Sequence, residues 1–141
     1  MATIERFEDI EAWKRARTMA RKIYAISREG PLSKDFGLKD QLRRASVSAM
    51  SNIAEGFERD GTQEFIHFLS MAKGSSGEVR SQLYVALDEG YISQEQFDEL
   101  YRDAESVSKM AAGFIEYLRR TDLRGKRFRK PGENRPPELE T

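Results

Sequence analysis

The sequence predicts an all-α fold, an antiparallel up-down-up-down four-helix bundle, and three observations point there. Apolar residues recur at steps of three and four through four successive stretches, which is the period of one helix face. Charged residues make up 34% of the chain, against roughly 25% in ordinary soluble domains. The 38% that is hydrophobic must therefore gather on narrow faces, as it does in amphipathic helices. No run of β-branched residues alternates at period two, so no strand is expected.

The first helix is expected from about Asp9 to Arg28, with Ile10, Trp13, Ala16, Ala20, Ile23 and Ser27 on one face and Gly30-Pro31 as its stop. The second runs from Ser33 or Asp35 to Phe57. Leu38, Leu42, Ala45, Ala49 and Ile53 form one stripe on it, and Val47, Met50, Ala54 and Phe57 form another, displaced around the helix. Gly56 and Asp60-Gly61 mark the break that follows.

The third helix opens with Thr62 as its expected cap and carries Phe65, Phe68, Leu69, Ala72, Ser76, Val79, Leu83, Ala86 and Leu87 inward. Gly90 suits a left-handed stop. In the fourth, Ser93-Gln94-Glu95-Gln96 is a capping box, followed by Phe97, Leu100, Tyr101, Ala104, Val107, Ala111, Phe114 and Leu118. Loops of a few residues make consecutive helices neighbours. The apolar rhythm stops at Asp122, so residues 1–121 read as the bundle and 122–141 as a basic, disordered tail.

Composition removes several kinds of chemistry. Without cysteine there is no disulfide framework, thiolate metal site or cysteine nucleophile. A di-iron bundle needs two Glu-x-x-His motifs, and the single histidine allows only Glu64-Phe65-Ile66-His67. The serines have no second conventional base to activate them, and no P-loop, Rossmann or nucleophile-elbow pattern occurs. Gly74-Ser75-Ser76-Gly77 resembles a phosphate-cradling loop but falls within the third helix, where small residues let a neighbouring helix approach. The start of the chain is acidic rather than signal-like, and the longest uncharged run, Ala45–Ala54, is too short to span a membrane. A soluble, cytoplasmic protein without cofactor or metal is expected.

One polar set lies close to the inner stripes: Ser48, Ser51, Asn52 and Glu55 on the second helix, Ser75 and Glu78 on the third. It reads as a buried hydrogen-bonded network that fixes helix register, or alternatively as a catalytic pair, Glu55 with Glu78.

The net charge is zero, from 24 basic and 24 acidic residues, but the distribution is uneven. Residues 91–118 hold two bases against six acids, and 119–141 hold eight against four. Two basic features suit a polyanion. Lys14, Arg17, Arg21 and Arg28 share one face of the first helix, with Arg43 and Arg44 extending the surface from the second. Arg119, Arg120, Arg124, Lys126, Arg127, Arg129 and Lys130 crowd the C-terminal segment, with Phe128 among them as a stacking ring.

Between residues 7 and 120 the chain resembles a known family. The likeness rests on Phe7 and Trp13-Lys14-Arg15-Ala16, then Phe36-Gly37-Leu38 and Gln41-Leu42-Arg43-Arg44-Ala45. It continues through Ser51-Asn52-Ile53-Ala54-Glu55-Gly56-Phe57, Arg59, Phe65, Phe68-Leu69, Ala72-Lys73-Gly74-Ser75, Glu78 and Gln82-Leu83. The chain is similar to the four-helix-bundle proteins encoded in intervening sequences of bacterial large-subunit ribosomal RNA genes, a family that includes the accessory variability proteins of diversity-generating retroelements. The resemblance implies an antiparallel bundle assembled into a five-fold barrel, with no enzymatic activity. Its retroelement members look like nucleic-acid-binding partners of a reverse transcriptase. This chain departs from their basic character in its zero net charge and acidic fourth helix.

The function expected is therefore that of a non-catalytic homo-oligomer, a homopentamer, binding RNA or DNA backbones alongside a reverse transcriptase or another protein. A structural or protein-interaction oligomer without nucleic-acid binding is the alternative.

Overall fold

The structure, a computed structural model, describes residues 4–128, with side chains described for residues 4–121. Four helices account for most of it: α1 (Glu11–Ser27), α2 (Phe36–Glu58), α3 (Thr62–Asp88) and α4 (Gln94–Phe128). Short 3-10 turns at Phe7–Asp9 and Pro31–Lys34 lead into α1 and α2, and no strand occurs among the described residues.

Local chemistry sets the helix ends. The Asp35 carboxylate accepts from the Leu38 amide at 3.1 Å and caps α2. At the start of α4 the Gln96 amide donates to Ser93 Oγ at 3.1 Å, while the Ser93 amide donates to Gln96 Oε1 at 2.9 Å, completing the capping box. Gly30 and Gly90 turn the chain with φ of 63° and 73°, a region where a side chain is strained. The cap of α3 is Gly61, and Thr62 is already helical. α4 continues to Phe128, beyond Asp122 where its apolar rhythm ends. Backbone hydrogen bonding, unlike apolar spacing, does not require a core beneath it.

Each helix packs on the next in sequence, and α4 packs back on α1. The centre is apolar and closed to solvent: Ala16, Met19 and Ile23 of α1, Leu42, Ala49 and Ile53 of α2, Leu69, Ala72, Val79 and Leu83 of α3, and Ala104, Val107 and Leu118 of α4. Each fully buried Leu, Ile or Val contributes about 1.5–3 kcal/mol of transfer free energy. Of the second stripe on α2, Met50 and Phe57 pack half-buried against this core, whereas Val47 is exposed.

Pairs of side chains define which parts of the helices meet. Ser48 Oγ and Ser75 Oγ are 2.9 Å apart between α2 and α3. Ring centroids of Tyr84 and Phe97 lie 4.9 Å apart, and those of Phe65 and Phe114 5.2 Å apart, between α3 and α4. A Cβ at Gly56 would come within 2.7 Å of Phe68 Cβ, so the closest approach of α2 and α3 demands glycine there.

Candidate nucleic-acid interface

The bases of α1 sort by face. Lys14, Arg17, Arg21 and Arg28 are all exposed. Lys14 is paired with Glu11 at 3.2 Å. The Arg17 guanidinium lies 5.8 Å from the centre of the Trp13 ring, which is itself steadied by the edge of Phe7 at 5.1 Å. Tyr24 falls seven residues after Arg17, three after Arg21 and four before Arg28, so this aromatic ring shares their face.

From α2, Arg43 and Arg44 reach the same side. Arg43 is half-buried: its Nε donates to Ser27 Oγ at 2.7 Å, and its guanidinium lies 4.4 Å from the centre of the Tyr24 ring. Ser27 in turn donates to the Tyr24 carbonyl at 3.1 Å. Arg44 is exposed and bonded to Asp40 Oδ2 at 2.8 Å. A groove of about 400 Å³ runs between the two helices, lined by Tyr24, Asp40, Arg43, Arg44, Val47 and Ser48. Arg43 and Arg44 of α2 thus meet Tyr24 on the helix face that carries the exposed bases of α1.

Part of the C-terminal cluster lies on α4. Arg119 and Arg120 are exposed on α4. Arg124, Lys126 and Arg127 fall on the last turns of the same helix, but their side chains lie outside the described residues, as do Arg129 and Lys130 altogether.

Of the polar set on α2 and α3, the structure unites Ser48, Asn52 and Ser75. Asn52 Nδ2 donates to the Ser48 carbonyl at 2.9 Å and to Ser48 Oγ at 3.0 Å, and Ser48 meets Ser75. Ser51, Glu55 and Glu78 are exposed. Glu55 is drawn to Arg59 at 2.8 Å and does not approach Glu78 through any hydrogen bond. The reason is helical phase: one residue is 100° of rotation, and Gly56, not Glu55, occupies the inward position one turn beyond Asn52. Glu78 instead edges a second groove of about 400 Å³ between α2 and α3, with Gln41, Arg44, Ala45, Ser48, Ser75 and Gln82.

Sequence spacing missed the principal buried charge. Asp103 is 5% exposed on α4 and binds two bases of α1, Lys22 Nζ at 2.8 Å and Arg15 Nη1 at 3.4 Å. Lys22 also reaches Glu99 at 2.8 Å. The hydrogen bonds to Asp103 and then Glu99 raise the Lys22 pKa above its usual value, with burial opposing. The same bond from Lys22 holds Glu99 below the usual carboxylate value. The available signal was the seven-residue spacing of Arg15 and Lys22, which puts both on one face, and the four-residue spacing of Glu99 and Asp103 beside the Leu100–Ala104 stripe. Where the chain enters α2 and α4, the Tyr91 hydroxyl donates to Asp35 at 3.0 Å, and that bond raises the Tyr91 pKa.

His67 sits exposed with its ring 5.8 Å from that of Phe68, and Glu64 lies 4.0 Å from Arg59. Among the described residues no group of three or more His, Asp or Glu is placed to hold a metal ion. No described helix is long and apolar enough to cross a membrane.

Residues 8–113 match the family model of the 23S rRNA-intervening sequence protein. The chain belongs to that family. A solved structure from Bacteroides thetaiotaomicron, a protein of unknown function from the S23 ribosomal protein family, is similar in fold. Its TM-score is 0.68 at 22% identity, covering 74% of this chain and 98% of that one. The comparison with curated proteins returned no match. The matched span includes both helices of the basic α1–α2 surface and stops short of Arg119 and the residues beyond it.

Proposed function

We propose that this member of the 23S rRNA-intervening sequence protein family is a non-catalytic, homo-oligomeric accessory protein that binds RNA or DNA backbones. The observation that carries this reading is the meeting of Arg43 and Arg44 of α2 with Tyr24 of α1, whose exposed face also carries Arg17, Arg21 and Arg28. Arginines there contact phosphates, positioning a strand without reading its sequence, and the C-terminal bases extend the contact. The bundle is antiparallel, up-down-up-down. This is supported by Gly56 meeting Phe68, Tyr84 meeting Phe97 and Lys22 meeting Glu99, each joining the late part of one helix to the early part of its neighbour.

Assembly is as a homopentamer in the cytoplasm, with a reverse transcriptase or another protein as further partner. Adjacent exposed apolar side chains Tyr84 and Val85 late on α3 support a subunit contact. They also favour the second reading, an interaction oligomer that binds no nucleic acid.

Titrating the purified oligomer with a labelled structured RNA and a duplex DNA from about 50 to 200 mM salt separates the two. Affinity that falls steeply with salt is the expected result, and replacing Arg124, Lys126, Arg127 and Arg129 with alanine should flatten the slope. No binding at the lowest salt removes the nucleic-acid reading and leaves the interaction oligomer.

A further inference from the structure

The groove between α1 and α2 has more structure than backbone contact requires. Phosphates need only mobile cations at the surface. Here Tyr24 retains 38% of its exposure while the Arg43 guanidinium covers its ring at 4.4 Å. Arg43 is tethered: its Nε donates to Ser27 Oγ at 2.7 Å, on a side chain fully closed to solvent. The ring and the cation are therefore fixed relative to each other before any ligand arrives.

The rest of the groove has the chemistry of a base site. Val47 supplies an apolar wall that is 38% exposed. Asp40 gives one carboxylate oxygen to Arg44 and keeps the other as an acceptor for an exocyclic amine or ring N–H. Arg21 and Arg28 flank Tyr24 along α1, about one turn away on either side, where the phosphates before and after an inserted nucleotide would run.

We propose that this groove is a pocket for an unpaired nucleobase, so that the preferred ligand is single-stranded or looped nucleic acid rather than a continuous duplex. The proposal rests on the nucleic-acid reading above and adds the substrate class to it. A base stacks on the Tyr24–Arg43 platform against Val47, and Arg21, Arg28 and Arg44 take the neighbouring phosphates. A paired base cannot enter without being unstacked from its duplex, which opposes binding. Stacking accepts any base, because each has a π-face.

The test compares binding of a labelled oligothymidylate and a blunt duplex of equal length to the intact oligomer, for wild type, Tyr24→Ala and Tyr24→Phe. Tyr24→Ala should weaken oligothymidylate binding roughly 5- to 150-fold, the range of one lost base–aromatic stack. Duplex affinity should stay within a factor of two. The salt slope for the single strand should not change, since tyrosine releases no counterions. Tyr24→Phe should behave as wild type, which separates loss of the ring from a folding defect. Equal weakening of both probes, or no change in either, overturns the pocket while leaving backbone binding in place. Failure of the wild type to bind either probe overturns the nucleic-acid reading and the pocket together.

Discussion

Helix α1 carries the same residue types on two faces, and the two faces have opposite fates. Toward α4, Arg15 and Lys22 are committed to Asp103 and Glu99. Toward α2 and solvent, Arg17, Arg21 and Arg28 share an exposed face with Tyr24, and no carboxylate lies within ion-pair distance of them among the described residues. A count of bases treats these five residues alike. Their partners do not: cations satisfied at the seam between α1 and α4 hold helices together, and only the remainder is available to a polyanion. This is how a chain with no net charge can present a basic surface, because part of its acidic content is spent on the inner face.

The comparison can be broken from the inner side first. Asp103→Ala should lower unfolding free energy by about 1–3 kcal/mol in urea titration, the range for a charged hydrogen-bonded group lost from a buried site. Nucleic-acid affinity should be unchanged. Wild-type stability near the cluster also has a defined pH dependence. The Glu99 pKa is depressed in the fold, so its contribution is present above the unfolded carboxylate value, about 4, and is lost as pH falls through the folded value. The Lys22 pKa is raised, so its contribution is present below the unfolded lysine value and is lost as pH rises through the folded one. Urea midpoints measured across pH should therefore fall at both the acid and alkaline ends, and Asp103→Ala should flatten the alkaline fall.

A smaller effect is expected where the two faces share a helix turn. Ser27→Ala should cost about 0.5–1.5 kcal/mol by removing the acceptor of Arg43 Nε. It should also loosen the Tyr24 platform, so that single-strand binding weakens more than duplex binding. The smallest effect on stability belongs to the outer face. Replacing Arg17, Arg21 and Arg28 together with alanine should leave unfolding within about 0.5 kcal/mol of wild type, as usual for surface changes.

Much of the fold was legible in the sequence, because it depends on local periodicity. The four helices, the Ser93–Gln96 box and the left-handed Gly90 all follow from short-range rules. So did the members of the outer stripe, since steps of three, four and seven place residues on one face whatever lies opposite. Pairings between helices were not legible. Asp103 meets Lys22 across 81 positions and Arg15 across 88, and nothing within one helix says which bases will find an acid. Nor does spacing along α1 reveal that Arg43 of α2 lies on the Tyr24 ring. The polar set on α2 shows a finer limit: a one-residue shift in phase moves Glu55 from the inner face to the surface, where Arg59 takes it.

The most direct test of the difference between the faces is the salt dependence of duplex binding for two variants that both remove bases from α1. For Arg17, Arg21 and Arg28 replaced by alanine, the slope of log K against log salt should shrink by about 0.9 per arginine engaged, or roughly 2.7 in all. For Arg15→Ala with Lys22→Ala, the slope should match wild type while the unfolding midpoint drops. A slope that shrinks as much in the second variant as in the first would contradict the division of α1 into a binding face and a structural one.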